Sequence, residues 1–207
     1  MSAIAARLPQ AGRVRVGVDG RTAVGKTTFA DALADHIRAT GRPVVRAGID
    51  GFHRPKAERY ARGRMSAEGY YRDARDLEAV RRHLLDPFGP GGDGRYAVKT
   101  FDLATDTAVQ PVPTQAPENA VLVVDGSFLQ RRKLRGGLDM VVFLRASRET
   151  SRARGVARDG AYMAEAYDRR YLPAFDLYTG EVDPVASADV VVDVEDWSLL
   201  FVVEETA

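Results

Sequence analysis

Five short segments of the chain are apolar almost without interruption: 14–20 (VRVGVDG), 43–50 (PVVRAGID), 121–126 (VLVVDG), 140–146 (MVVFLRA) and 188–194 (ADVVVDV). A strand that is apolar on both faces must be covered on both faces, so these segments predict a parallel sheet between helical layers. Between them the period becomes that of a helix. Residues 27–41 place Phe29, Leu33 and Ile37 on one face and stop at Gly41-Arg42-Pro43. Residues 76–89 carry Leu77, Val80, Leu84 and Leu85 in the same manner and end at Pro87. Residues 147–160 predict an exposed, Arg-rich helix, with a further helix to about Tyr171. The stretch 87–94 reads as a loop, 96–103 as another strand, and the Pro-rich 105–120 as irregular. The expected fold is α/β in three layers, one domain over 1–207 with its core at about 14–194.

Composition narrows the classes. The 207 residues are 45% hydrophobic and 29% charged, ordinary for a globular domain. Thirty basic residues face 29 acidic ones, a net charge of +1, so no nucleic-acid partner is expected. Cysteine is absent, which excludes disulfides, thiol catalysis and cysteine-ligated metal. No apolar run approaches the ~18 residues of a membrane span, and MSAIAARLPQAGR is a poor signal peptide. The expected setting is cytoplasmic and membrane-free; whether the chain forms a homo-oligomer is left open.

One motif carries chemistry. Gly20-Arg21-Thr22-Ala23-Val24-Gly25-Lys26-Thr27 matches G-x-x-x-x-G-K-[ST] in full, between a buried strand and an amphipathic helix. Glycines let the backbone approach phosphate oxygens with its N–H groups turned inward, and the following helix, with Thr28 in its first turn, adds its positive end. Lys26 supplies a mobile charge for the outer phosphates, and the Thr27 hydroxyl is a Mg²⁺ ligand. The fold is therefore expected to be of the P-loop NTPase type, with a nucleoside triphosphate and Mg²⁺ as its cofactors. A carboxylate to complete the metal site is available in Asp125, at the end of 121–125; the alternative is a turn-forming aspartate. A guanine-reading N-K-x-D is missing, because the sole asparagine, Asn119, precedes Ala120. Additional motor motifs are missing as well.

What remains resembles a known group. GVDGRTAVGKTTFADAL, IDGFHRP (49–55), EGYYRDARDLEAV (68–80), VVDGSFL (123–129), RARGVARD (152–159), LPAF (172–175) and ADVVVD (188–193) are similar, in order, to the uridine kinase and phosphoribulokinase-like branch of P-loop kinases. The resemblance implies transfer of the ATP γ-phosphate to a hydroxyl of a small-molecule acceptor. It implies that Asp50, read as ending the second strand, takes the proton from that hydroxyl and neighbours Mg²⁺, a helix cap or turn being the alternative, and that Arg154 and Arg158 belong to a lid at about 147–160 closing over the transferring phosphate. These arginines share a helix face, so a solvated face is the alternative. Asp73 matches a position that binds sugar hydroxyls, or else caps the helix starting near Asp76. His53, beside Asp50, is a structural loop histidine or else a substrate-side group.

The chain departs from the pyrimidine-kinase pattern. Phe101-Asp102 replaces a common Tyr-Asp pair, the histidine after it is missing, and Asp125 stands where Glu is more usual. Phe101, with Tyr70, Tyr71 and Tyr96, is a candidate wall of the acceptor pocket or core. Uridine or cytidine is the leading acceptor. Another sugar, a sugar phosphate, a pantothenate-like alcohol, or a non-catalytic nucleotide-binding role are the alternatives, although the chain is short for a pantothenate kinase.

Overall fold

A computed structural model describes residues 1–198 and the backbone of 201–205; the expected domain span 1–207 thus includes positions outside the described residues. Among the described residues the sheet has six strands: β1 (Val14–Gly20), β2 (Val44–Gly48), β7 (Val121–Asp125), β8 (Met140–Arg145), β9 (Val190–Asp193) and β10 (Phe201–Glu205). They lie in the order β10-β9-β8-β1-β7-β2. All but β10 pair in parallel, and β10 adds an antiparallel edge that the pattern of apolar runs did not announce.

Pleating separates the two layers that cover the sheet. Along β7, Val121 and Val123 face one core and Leu122 and Val124 the other. The first core is closed by helix α1 (Ser2–Ala6) and by Phe29, Leu33 and Ile37 of α2 (Lys26–Ala39). The second holds Phe52, Tyr71, Leu84, Phe128, Phe175 and Tyr178. This is the expected three-layer α/β architecture, covered by helices on both faces.

Several segments differ from their sequence pattern. The strand expected over 43–50 stops at Gly48, and Ile49–Phe52 is a 3-10 turn that drops Ile49 and Phe52 into the second core. Asp50 therefore sits on a turn beyond the strand, not at its end. The helix expected over 76–89 is capped by Asp76, passes through a π-helical turn (Arg81–Leu85) and continues past Pro87 to Phe88, as α5 after α3 (Lys56–Arg59) and α4 (Ala67–Arg72). Proline cannot donate to the preceding turn, and the wider π turn accommodates that loss. A second π turn, Tyr167–Tyr171, precedes Pro173, and the helix runs on through Leu172–Glu181 where an end near Tyr171 was expected.

The strand expected over 96–103 is not part of the sheet. It splits into β3 (Arg95–Tyr96) and β4 (Phe101–Asp102), which pair with β6 (Thr114–Gln115) and β5 (Thr107–Ala108) in two small ribbons. Asp102 accepts from the backbones of Ala104 and Thr105 and folds the chain back, while Val98 and Leu103 remain exposed. The Pro-rich stretch supplies the partner strands, so it is not wholly irregular. No helix among the described residues is long and apolar enough to cross a membrane.

Candidate active site

The phosphate-loop motif lies where expected, between β1 and α2. Ala23 and Gly25 adopt positive φ (62° and 100°), which coils the backbone around a concave centre. Val24 plugs into the first core and anchors the loop. Lys26 Nζ lies back across the loop, donating to the carbonyls of Gly20 (3.0 Å) and Arg21 (2.6 Å). Burial pushes its pKa down to about 8 against the pull of Asp19, Asp125 and Asp50. Arg21 contributes backbone only: its guanidinium stacks on Phe175 at 4.3 Å and faces Asp176.

Thr22, Ala23, Gly25, Lys26, Thr27 and Thr28 line a cavity of about 970 Å³ together with Asp50, His53, Asp125, Arg154 and Arg158. Within it, Thr27 Oγ1 donates to Asp125 Oδ2 at 2.7 Å, so the expected hydroxyl and carboxylate are brought together. The other oxygen of Asp125 accepts from Arg46 Nη2 at 2.9 Å. Arg46 is itself fixed by Asp31 and by the carbonyls of Val123 and Ala47. A strand arginine in PVVRAGID carried no motif, and only the β2–β7 neighbourhood reveals its partner.

Asp50 is held similarly by a residue the motifs did not single out. Arg75, with its side chain 4% exposed, donates Nη2 to Asp50 Oδ1 at 2.8 Å and lies against the Tyr70 ring. Backbone bonds from Arg54 to Ala74 and from Asp76 to Phe52 staple the two segments, which sets Arg75 beneath the 3-10 turn. Enclosure works to raise the Asp50 pKa, but Arg75, then His53 and Lys26, outweigh it and hold the carboxyl below its ordinary range. His53 turns Nδ1 to the Asp50 carbonyl at 2.8 Å; burial and Arg75 push its pKa down, which keeps the ring neutral near pH 7.

Two expected substrate residues are not brought to the cavity. Asp73 closes the C-terminal end of α4 and accepts from Arg62 at 2.8 Å; the cap on α5 is Asp76. Phe101 is buried near Arg59. Tyr70, Tyr167, Tyr171 and Leu103 complete the wall of the cavity. Tyr71 and Tyr96 are packing residues, Tyr71 against Phe128 and Tyr96 against Phe88.

The Arg-rich helix forms as expected over Arg148–Asp159, capped by Ser147. Arg154 reaches the cavity while donating to the carbonyls of Val194 (2.8 Å) and Glu195 (2.9 Å). Arg158 is forked onto Asp159, with Tyr167 beside it.

Asp19 was also not legible as a site residue. It is fully buried at the end of β1 and accepts from Gly20 N, Phe128 N and the Tyr178 hydroxyl (2.5 Å). It thereby ties the phosphate loop to the loop after β7 and to the last long helix. Burial raises its pKa although these donors oppose that. Asp19→Ala strands several buried donors and is expected to cost about 3 kcal/mol or more, roughly 6–12 °C in Tm. Asp19→Asn keeps one acceptor and removes a charge that burial disfavours, so it should cost less than half as much. Thermal melts of the pair check this; equal Tm values would show that charge, not acceptor geometry, holds the loop.

The strand order, the loop and this cavity define a P-loop kinase fold. No family model matches the sequence, and no curated protein matches it. Solved structures do. A possible uridine kinase from Bacillus stearothermophilus is 26% identical, with TM-score 0.71 over 91% of this chain and 93% of that one. A candidate fructose transport system kinase from Silicibacter sp. TM1040 is 23% identical, with TM-score 0.71 over 86% and 91%. Phosphoribulokinase from Rhodobacter spheroides is 16% identical, with TM-score 0.61 over 88% and 70%. The chain's fold is thus similar to that of the uridine kinase and phosphoribulokinase-like branch of the P-loop kinases.

Proposed function

We propose that the chain is an ATP- and Mg²⁺-dependent kinase that phosphorylates a hydroxyl of a small, sugar-bearing acceptor, with a pyrimidine ribonucleoside as the first candidate. The observation that carries this reading is one cavity holding the phosphate loop, the Thr27–Asp125 pair and the Arg75-clamped Asp50. The 26%-identical possible uridine kinase supports the nucleoside acceptor. The assignment of Asp73 to sugar hydroxyls rests on the sequence resemblance alone. The cationic and tyrosine-lined acceptor side, and the Silicibacter neighbour, favour a sugar or sugar phosphate as the second reading.

In this reading Asp50 accepts the proton of the acceptor hydroxyl as its oxygen bonds to the γ-phosphorus and the bridge to ADP breaks. A carboxylate of depressed pKa is a weak base, which suits a loose phosphoryl transition state in which the proton moves late. Lys26, Arg154 and Arg158 balance charge on the transferring group. Among the described residues no cluster of three or more His, Cys, Asp or Glu could hold a metal unaided. A hydroxyl with one or two carboxylates fits Mg²⁺, which relies on phosphate oxygens and water for its remaining ligands. Thr27, Asp125 and Asp50 would hold it, and it would supply positive charge to the phosphates.

Lys26 makes nucleotide affinity pH-dependent. Its pKa of about 8 without nucleotide means that charge is lost as pH rises through 8, whereas phosphate bound beside it restores the proton. Calorimetry near pH 8 should therefore register uptake of about half a proton per ATP, and affinity should fall from pH 7 to 9. Binding without proton uptake would place Lys26 away from the phosphates.

The function itself is tested by ADP formation with nucleosides, sugars, sugar phosphates and vitamin-like alcohols. One acceptor class should raise turnover at least ~10-fold over water. ATP binding with no stimulated turnover would leave a nucleotide-binding protein and end the kinase reading.

A further inference from the structure

Trp197 is the chain's only tryptophan. It follows β9, and its indole lies against the phosphate loop: a Cβ placed on Gly25 would come within 2.1 Å of Cζ2. The ring packs at the margin of the first core, yet it is only half-buried and lines the cavity with Lys26, Thr28 and Arg154. The segment that carries it is fastened to the Arg-rich helix. Arg154 clasps the carbonyls of Val194 and Glu195, and the Glu195 carboxylate accepts from Ser147 N (2.6 Å), Ser147 Oγ (2.8 Å) and the Thr150 hydroxyl. The aromatic face is thus held in place beside the loop.

Sheet order assigns the direction of a bound nucleotide. Asp125 ends β7 and Asp50 follows β2, on one side of β1; Trp197 and Arg154 follow β9 and β8, on the other. The phosphate loop leaves β1 between them. If the γ-phosphate lies toward Asp50, which is the one point taken from the kinase reading, the nucleoside must extend toward the β8–β9 side. We infer that Trp197 is the platform on which the base of the donor nucleotide stacks. Glu195 is a positioning residue for that platform, and Arg154, through the Val194 and Glu195 carbonyls, joins it to the lid. Stacking engages the area of a base and not its edge, so ATP and GTP should bind within about 10-fold of each other.

The test compares wild type, Trp197→Ala and Trp197→Phe by calorimetry with ATP, GTP and inorganic tripolyphosphate. Trp197→Ala should weaken ATP roughly 5- to 150-fold, Trp197→Phe only a few-fold, and tripolyphosphate should bind all three alike. In wild type, ATP but not tripolyphosphate should change the tryptophan emission. Trp197→Ala binding ATP as wild type does, with phosphoryl transfer retained, would reduce Trp197 to packing and leave the kinase reading standing. Parallel loss of ATP and tripolyphosphate affinity would show that Trp197 acts on the shape of the loop, which also overturns stacking. An ATP preference over GTP beyond about 100-fold would mean the base is read by its edge. Wild type failing to bind ATP would remove both this inference and the kinase reading.

Discussion

Asp50→Asn is expected to lower kcat by roughly 10²–10⁴-fold while ATP still binds within a few-fold of wild type. Asparagine keeps the size of the side chain and an acceptor for Arg75, so the 3-10 turn from Ile49 to Phe52 should persist. What it loses is the charge that receives a proton. Arg75 holds the Asp50 pKa low, so the carboxylate is ionised across the neutral range and its protonation should not limit activity between pH 8 and 5. An acid limb in that window belongs to another group. Single-turnover transfer and calorimetric ATP binding separate the two effects. Turnover within ~5-fold of wild type would move the base elsewhere.

Lys26→Ala should lower phosphoryl transfer by roughly 10²–10³-fold, the scale set by removing one donor aimed at developing charge. Its effect on stability should have the opposite sign. Burial depresses the Lys26 pKa, so at pH 7 the folded protein retains a charge it would more readily lose, and its removal relieves that cost. The unfolded chain binds more protons between pH 8 and 10.5, so wild-type stability should rise with pH in that window and that of Lys26→Ala should not. Melting curves at pH 7 and 9.5 check the sign. A fall in Tm for Lys26→Ala at pH 7 would show that the bonds to Gly20 and Arg21 outweigh the burial cost.

Both predictions concern side chains at loop positions that local sequence could mark, and the reason for this is physical. The phosphate loop is a local object: strand, turn and helix are contiguous, and the residue types allowed at each step follow from backbone conformation and charge. The same holds for the buried strands, whose uninterrupted apolar runs reflect burial on both faces, and for the helix capped by Ser147. Positions 96–103 misled because Tyr96, Val98 and Phe101 have strand-like composition, while the Asp102 turn and the ribbon pairing overrode it. The site's supporting partners are not local. Arg46 meets Asp125 across 79 residues, Tyr178 meets Asp19 across 159, and Trp197 reaches Gly25 only because β9 lies two strands from β1. Arg75 is nearer in sequence to Asp50, yet its contact depends on two segments being stapled by backbone bonds. Sequence alone determined the five parallel strands and the phosphate loop, since each depends on its own neighbours. Tertiary structure alone decided which cations hold Asp50 and Asp125, which carboxylate is buried, and which aromatic ring meets the loop, because those pairings are set by strand order.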